Sequence, residues 1–333
     1  MKLAVLGSGS WGTTLGLHLA QAGHSVSLFS SSEKKARELE QKRENRELLP
    51  GIKIPDSILI SADLDRVLEG AEGVVFSVPS HVLRTVAKRA APLWPQGAWA
   101  LSASKGLEEG THDRMSQILG QVLPAGTAVG VLSGPSHAEE VAQKIPTTVV
   151  VASAEPSLPG RIQAVFHTDY FRVYTSPDIV GVELGGALKN VIAIAAGILD
   201  GLGLGDNTKA ALMTRGLHEM RRLGVGLGAS AETFSGLTGM GDLMVTCVSR
   251  HSRNRLLGEK IGKGATLKQA LSEMSMVAEG VRTAKSAVEL AEQAGVEVPI
   301  MRQVYGVLYE GRTARESMAA LLSRAARPET DPS

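Results

Sequence analysis

With one cysteine, Cys247, in 333 residues, the chain has no intrachain disulfide and no Cys-rich zinc or iron–sulfur framework. A lone thiol fits a reducing, cytoplasmic location. The eight histidines show no H-E-x-x-H or other ligand spacing, so no metal is expected. An excess of charge is also lacking: 35 Lys+Arg against 34 Asp+Glu leave a net +1. That balance excludes a strong electrostatic footprint for nucleic acid or an acidic membrane. No run approaches the roughly 18 uninterrupted apolar residues of a membrane span, so stable membrane insertion is not expected. Met1 to Leu6 resembles the opening of a secretory leader, but Gly7, Gly9 and Gly12 interrupt it, and a buried strand is the expectation there. Aromatic residues are scarce at 4%, whereas the 37 glycines predict many tight turns and close backbone approaches.

What is present is enough apolar residue, 43% of the chain, to fill two cores at about 150 residues each. The first half alternates short Val/Leu/Ile runs with helical patterns, the signature of a parallel sheet with crossover helices. Strands are predicted near 2–7, 25–29, 57–61, 73–78, 98–103, 128–132, 147–152 and 170–174. Most are continuously apolar, as strands covered on both faces are. After Thr175-Ser176-Pro177-Asp178 the pattern becomes helical, so a boundary is expected near 176. Residues 1–176 then form one domain, 177–326 an all-helical second one, and 327–333 a frayed polar tail. Segment 178–199 is apolar around most of its circumference and reads as a buried central helix. Further helices are predicted near 208–224, 230–235, 252–262, 266–273, 279–294, 299–310 and 313–322.

Gly7-Ser8-Gly9-Ser10-Trp11-Gly12 is a G-x-G-x-x-G between a predicted strand and a helix predicted over 13–22. Gly7 permits the tight turn, Gly9 lets a pyrophosphate approach the backbone, and Gly12 lets helix and strand pack closely. A dinucleotide, NAD or NADP, is the expected cofactor. The end of the second strand discriminates the two, and here it reads Phe29-Ser30-Ser31-Ser32-Glu33-Lys34-Lys35. Glu33 suits a ribose, the serines with Lys34 or Lys35 suit a phosphate, and Ser32-Glu33 suits a plain helix cap.

Nicotinamide chemistry needs a group that exchanges a proton with the substrate oxygen, and without a metal a cation is the natural choice. Lys105 follows the fifth predicted strand, and Lys189 lies inside the apolar central helix. The bland account of Lys189 is a stem that snorkels to solvent. Against it, Gly185 and Gly186 leave room for a ligand one turn earlier, and Asn190 adds a neutral donor. Burial and a nearby second lysine would both lower the Lys189 pKa, and that proximity is a prediction. Ser252-Arg253-Asn254 at a predicted helix start combines a hydroxyl, a guanidinium, an amide and free backbone donors, which suits a phosphate equally as well as an ordinary cap. Asp242 is placed to orient a lysine or to pair with an arginine, and Cys247 reads as a small buried hydrophobe.

Seven blocks together resemble the prokaryotic-type sn-glycerol-3-phosphate dehydrogenase [NAD(P)+] family over residues 1 to about 322: G-S-G-S-W-G-T at 7–13, L-P-G at 49–51, V-P-S at 78–80, S-A-S-K-G-L-E at 102–108, S-G-P-S-H-A-E-E at 133–140, E-L-G-G-A-L-K-N-V at 183–191, and G-D-L-M-V-T-C with H-S-R-N-R. The resemblance implies a Rossmann-type doubly wound, mostly parallel α/β sheet followed by an all-helical, 6-phosphogluconate-dehydrogenase-like substrate domain. It also implies a cytoplasmic homodimer that interconverts dihydroxyacetone phosphate and sn-glycerol 3-phosphate for phospholipid synthesis. By position it implies Lys189 as proton donor and acceptor, Asp242 holding it, and Thr246 and Asn190 near substrate. Gly134, Ser136, Ser252, Arg253 and Asn254 match substrate positions, and Lys105 touches both substrate and cofactor. Ser10, Trp11, Ala138, Val277, Glu279 and Arg253 match cofactor contacts, and His137 stands where phenylalanine is common. Two rival readings are a related dehydrogenase for 3-hydroxy acids or a sugar acid phosphate, and a dinucleotide sensor without chemistry.

Overall fold

The structure is a computed structural model and describes residues 1–274, 277–326, 328 and 329. Most of the expected frayed tail, residue 327 and residues 330–333, lies outside the described residues. Eight strands form one sheet: β1 (Lys2–Leu6), β2 (Ser25–Phe29), β3 (Leu59–Ser61), β4 (Gly73–Phe76), β5 (Trp99–Ser102), β6 (Val129–Ser133), β7 (Thr147–Ser153) and β8 (Phe171–Ser176). Between them run α1 (Ser10–Gln21), α2 (Glu33–Lys42), α3 (Leu64–Leu68), α4 (Ser80–Ala90), α5 (Met115–Val122), α6 (Ala138–Ala142) and α7 (Leu158–Phe166). The strand order is β3-β2-β1-β4-β5-β6-β7-β8, and every neighbouring pair is parallel except β6 with β7. Apolar runs are buried on both faces: Leu3, Val5 and Leu28 pack into one layer, and Ala4, Leu6 and Phe76 into the other. Chain order reverses between β1 and β4, so their carboxyl ends open the crevice in which such sheets hold ligands.

From residue 179 onward the structure is helical: α8 (Ile179–Gly201), α9 (Asp206–Gly226), α10 (Ala231–Ser235), α11 (Asp242–Val248), α12 (Arg253–Gly262), α13 (Leu267–Ser272), α14 (Glu279–Ala294), α15 (Pro299–Tyr309) and α16 (Ala314–Leu322). The central helix is buried from Gly181 to Leu199. By length and composition α8 is apolar enough to cross a membrane, although Glu183 and Lys189 interrupt its apolar run. Its partners are protein, however, because 83% of its apolar window is buried inside the fold.

One close approach sets the geometry of the second half. A Cβ on Gly197 would lie 1.9 Å from the Arg255 carbonyl oxygen, and one on Gly258 would lie 2.0 Å from that of Ile194. The backbones of α8 and α12 therefore touch, and this contact carries Asn254 up to Asn190. A polar bond joins the two halves further along: Glu183 of α8 accepts from the backbone N–H of Ser116 at 2.8 Å, from its hydroxyl at 2.6 Å, and from Arg114. Burial raises the Glu183 pKa against the pull of Arg114 and Ser116.

Two sequence expectations differ from the structure. The first helix starts at Ser10 rather than 13, because Gly9 is already its N-cap. Helix α11 and the π turn Leu237–Gly241 before it were read only as a chemical motif, since Gly236, Gly239 and Gly241 break the helical signal.

Candidate active site

The glycine turn comes first, at the end of β1. Gly7 has φ +122°, and a Cβ there would lie 2.3 Å from the Ser77 carbonyl oxygen. A Cβ on Gly12 would fall 1.9 Å from the Gly7 oxygen, whereas one on Gly9 meets nothing within 4 Å. The turn is tight on its protein side and open at Gly9, where α1 starts without a side-chain cap. Free N–H groups and the positive end of a 12-residue helix face that opening, the environment a pyrophosphate requires. Asn45 holds the turn from behind, its Nδ2 donating to the Ser8 oxygen and the Thr13 hydroxyl, each at 3.0 Å. Sequence reasoning missed Asn45, which carries no motif and sits 37 residues from Ser8.

Beyond β2, Ser30 is buried and accepts from the Ser8 hydroxyl at 2.9 Å, while Ser32 caps α2. Glu33 turns to Arg37 at 3.6 Å, and Lys35 lines the cleft. The capping account of Ser32 is the observed one.

The cleft, about 420 Å³, runs from Gly9, Ser10 and Trp11 to the start of α12. Along it lie Lys105, Ser136, Ala138, Lys189, Asn190, Thr246, Ser252, Arg253, Asn254, Val277 and Glu279. Gly7, Gly12, Gly134 and Asp242 stand just behind its wall. The sequence did not single out Ser77, and it gave no role to Val78, Pro79, Ser104 and His251, which stand in the blocks quoted above; the ends of β4 and β5 bring Ser77, Val78, Pro79 and Ser104 into the cleft. A larger cavity, about 740 Å³, lies between α8, α9, α15 and α16 and contains none of the predicted site residues.

At the floor of the cleft two ammonium groups share one carboxylate. Lys189 is 6% exposed and Asp242 1%. The Lys189 Nζ donates to Asp242 Oδ1 and, at 2.8 Å, to the Thr246 hydroxyl, while Lys105 Nζ donates to Asp242 Oδ2 at 2.6 Å and to the Gly134 oxygen at 3.0 Å. Asp242 and Thr246 are one turn apart on α11, so a single helix presents both acceptors. Burial lowers the Lys189 pKa to about 7; Asp242 works against that shift and Lys105 with it. Burial disfavours ionised Asp242, but the two lysines outweigh it and hold its pKa below the usual value. The predicted approach of the two lysines is thus present, mediated by Asp242.

Gly185 and Gly186 need a correction. They clear space for protein rather than for a ligand: a Cβ on Gly185 would meet the Thr238 oxygen at 2.6 Å, and one on Gly186 the Ser133 hydroxyl at 2.6 Å and the Lys105 stem at 3.5 Å. Cys247 is buried, and burial pushes its thiol up to about 12.

At the other end, Ser252 caps α12, Arg253 reaches the Ser10 hydroxyl at 3.4 Å, and Asn254 Nδ2 donates to Asn190 Oδ1 at 2.9 Å. Asn254 Oδ1 accepts from the Gly280 N–H at 2.9 Å, which leaves one amide N–H for a ligand.

This arrangement has known counterparts. The family model described as NAD-dependent glycerol-3-phosphate dehydrogenase N-terminus matches residues 2–158, and the corresponding C-terminus model matches residues 178–319. The chain belongs to the NAD-dependent glycerol-3-phosphate dehydrogenase family. It is 50% identical to glycerol-3-phosphate dehydrogenase (NAD(P)+) of Pelotomaculum thermopropionicum, over 97% of this chain and 93% of that one. The same-named protein of Chlorobium phaeobacteroides is also 50% identical, over 99% of both chains. The crystal structure of glycerol-3-phosphate dehydrogenase from Coxiella burnetii superposes with a TM-score of 0.93 at 37% identity, covering 97% of this chain and 99% of that one. A Rossmann-type sheet joined to an all-helical second half is therefore the family's fold as well as this chain's.

Proposed function

We propose that this chain reduces dihydroxyacetone phosphate to sn-glycerol 3-phosphate with NADH or NADPH, reversibly, and that Lys189 is the general acid and base. The observation that carries the reading is the Lys189–Asp242–Lys105 constellation, with Lys189 and Asp242 buried, in the same cleft as the glycine turn. Gly7, Gly9, Ser10, Trp11 and Gly12 would hold the pyrophosphate of a dinucleotide, whose reduced nicotinamide would supply the hydride. Ala138, Val277, Glu279 and Arg253 complete that side of the cleft, with Lys105 between the two ligands.

Each lysine ammonium has three N–H donors. Lys189 spends two on Asp242 and Thr246, which leaves one for the substrate oxygen. With a pKa of about 7 it gives that proton in reduction and takes it back in oxidation near neutral pH. Asp242 holds both ammonium groups and fixes their separation. Arg253, the remaining Asn254 N–H, Ser252, Ser136 and the turn at Gly134 hold the phosphate, so a remote dianion orients the carbon that reacts. In this reading residues 1–176 are the dinucleotide-binding domain and 177–326 the substrate domain. On the same reading the enzyme works as a cytoplasmic homodimer whose product supplies the backbone of glycerophospholipids.

The test is the loss of absorbance at the reduced nicotinamide band with dihydroxyacetone phosphate, run with NADH and NADPH in parallel. Turnover is expected, and Lys189→Ala is expected to abolish it while dinucleotide still binds. A fall of less than about tenfold, roughly 1.4 kcal/mol, would remove Lys189 from the role. A sensor without chemistry would show no turnover at all.

A further inference from the structure

His137 lies between Ser136 and Ala138 in the turn after β6, and its ring lines the cleft. Its Nε2 is buried and finds no hydrogen-bond partner among the described residues. Buried polar groups are nearly always paired, so an unpaired one lining a binding cleft asks for a partner that the protein does not supply. The His251 ring lies 5.9 Å away, tilted by 51°, and the next two residues are Ser252, the cap of α12, and Arg253, its first residue. The two imidazoles therefore lie beside the start of α12, the part of the cleft assigned to the phosphate. Burial, with Lys189 adding to it, holds the His137 pKa below the usual histidine value, so near pH 7 the ring is neutral and carries one N–H donor.

We infer that His137 is a specificity-determining residue that donates its ring N–H to a phosphate oxygen of the substrate. A swing of the ring about Cβ–Cγ, a broad and soft torsion, would turn the unpaired nitrogen toward the cleft that His137 lines. Of the groups on a small phosphorylated ketone, the phosphate offers the most acceptors, and the reacting oxygen already has Lys189 and Thr246 beside it. A neutral donor adds recognition without adding a fourth cation to Lys105, Lys189 and Arg253. This inference rests on the substrate reading given above.

The experiment compares kcat/KM for dihydroxyacetone phosphate with kcat/KM for dihydroxyacetone at saturating dinucleotide. In His137→Phe the first is expected to fall about tenfold, as for loss of a hydrogen bond to a charged group, and the second to change less than twofold. His137→Gln, which returns an N–H near the same reach, is expected to recover most of the loss. Equal falls for both substrates would show that the ring only packs and would overturn the inference, as would no fall. If His137→Phe does not fold, the smaller His137→Leu reads the same ratio. Wild-type turnover with an unchanged ratio overturns this inference alone, whereas absent wild-type turnover overturns the substrate reading and the inference with it.

Discussion

Glu279, the first residue of α14, closes on Ser80, the first residue of α4: Oε2 accepts from the Ser80 hydroxyl at 2.6 Å and Oε1 from its backbone N–H at 3.0 Å. Ser80 follows the end of β4, at the wall of the dinucleotide crevice. The next residue, Gly280, donates to Asn254, and Asn254 donates to Asn190 beside Lys189. One run of hydrogen bonds thus connects the cofactor side of the cleft to the helix that bears the lysine. Ser80→Ala removes the charge-assisted member and is expected to lower kcat/KM for dihydroxyacetone phosphate about tenfold. Steady-state kinetics beside a thermal melt will check it, and unchanged kinetics would mean that the contact does not hold the cleft in shape.

Protonation of Lys189 sets a second expectation. With its pKa lowered to about 7, the ammonium is lost as pH rises through that value. In the role proposed for Lys189, reduction uses the ammonium, so its rate is expected to fall through about pH 7, while oxidation uses the free amine and is expected to rise over the same window. Asp242→Asn removes the anion that supports the charge and leaves Lys105 to repel it, so the inflection moves lower. Activity of that variant at pH 7 is expected to drop at least tenfold, because breaking a buried ion pair strands a charge. Rate profiles against pH in both directions will decide; an inflection that stays in place in Asp242→Asn would contradict the assignment.

The touching backbones of α8 and α12 predict a stability effect. Gly258→Ala places a methyl 2.0 Å from the Ile194 oxygen, and neither backbone can step aside alone. The helices must separate, at a cost of about 1–3 kcal/mol or more, and Asn254 must draw away from Asn190. Both the melting temperature and turnover should fall. A variant with wild-type melting would show that the contact is looser than described.

Glu219 gives a pH effect remote from the cleft. Its carboxylate accepts from the N–H groups of Ile300 at 2.7 Å and Met301 at 3.2 Å at the start of α15, yet burial dominates and raises its pKa to about 7. A carboxyl that holds its proton more tightly when folded contributes stability at low pH and loses it as pH rises from about 4.5 through 7. The wild-type melting temperature, measured relative to Glu219→Gln, should therefore decline over that range. A flat difference would refute it.

The eight strands were legible because each is a local apolar run bounded by glycine, proline or polar residues, and the buried helix α8 because it has no polar face. The glycine turn was legible because its three glycines answer steric demands within six residues, as the contacts of Gly7 and Gly12 show. The reversed direction of β7 was not legible, since an apolar run carries no sign of its orientation. Nor was α11, whose glycine-rich approach imitates a loop. Gly185 and Gly186 were assigned to a ligand when they make room for Thr238, Ser133 and Lys105, because a missing side chain does not say what fills its place.

The sequence by itself determined most element types, the glycine turn between β1 and α1, and the pair of lysines worth attention. Only the tertiary structure decided that Asp242 meets both of them, across 137 residues to Lys105 and 53 to Lys189, and that Lys189 and Asp242 are buried while Lys105 stays half-buried. Local conformation follows from neighbours along the chain, but a proton's affinity follows from the distance and burial of charges, and those exist only once the chain has folded.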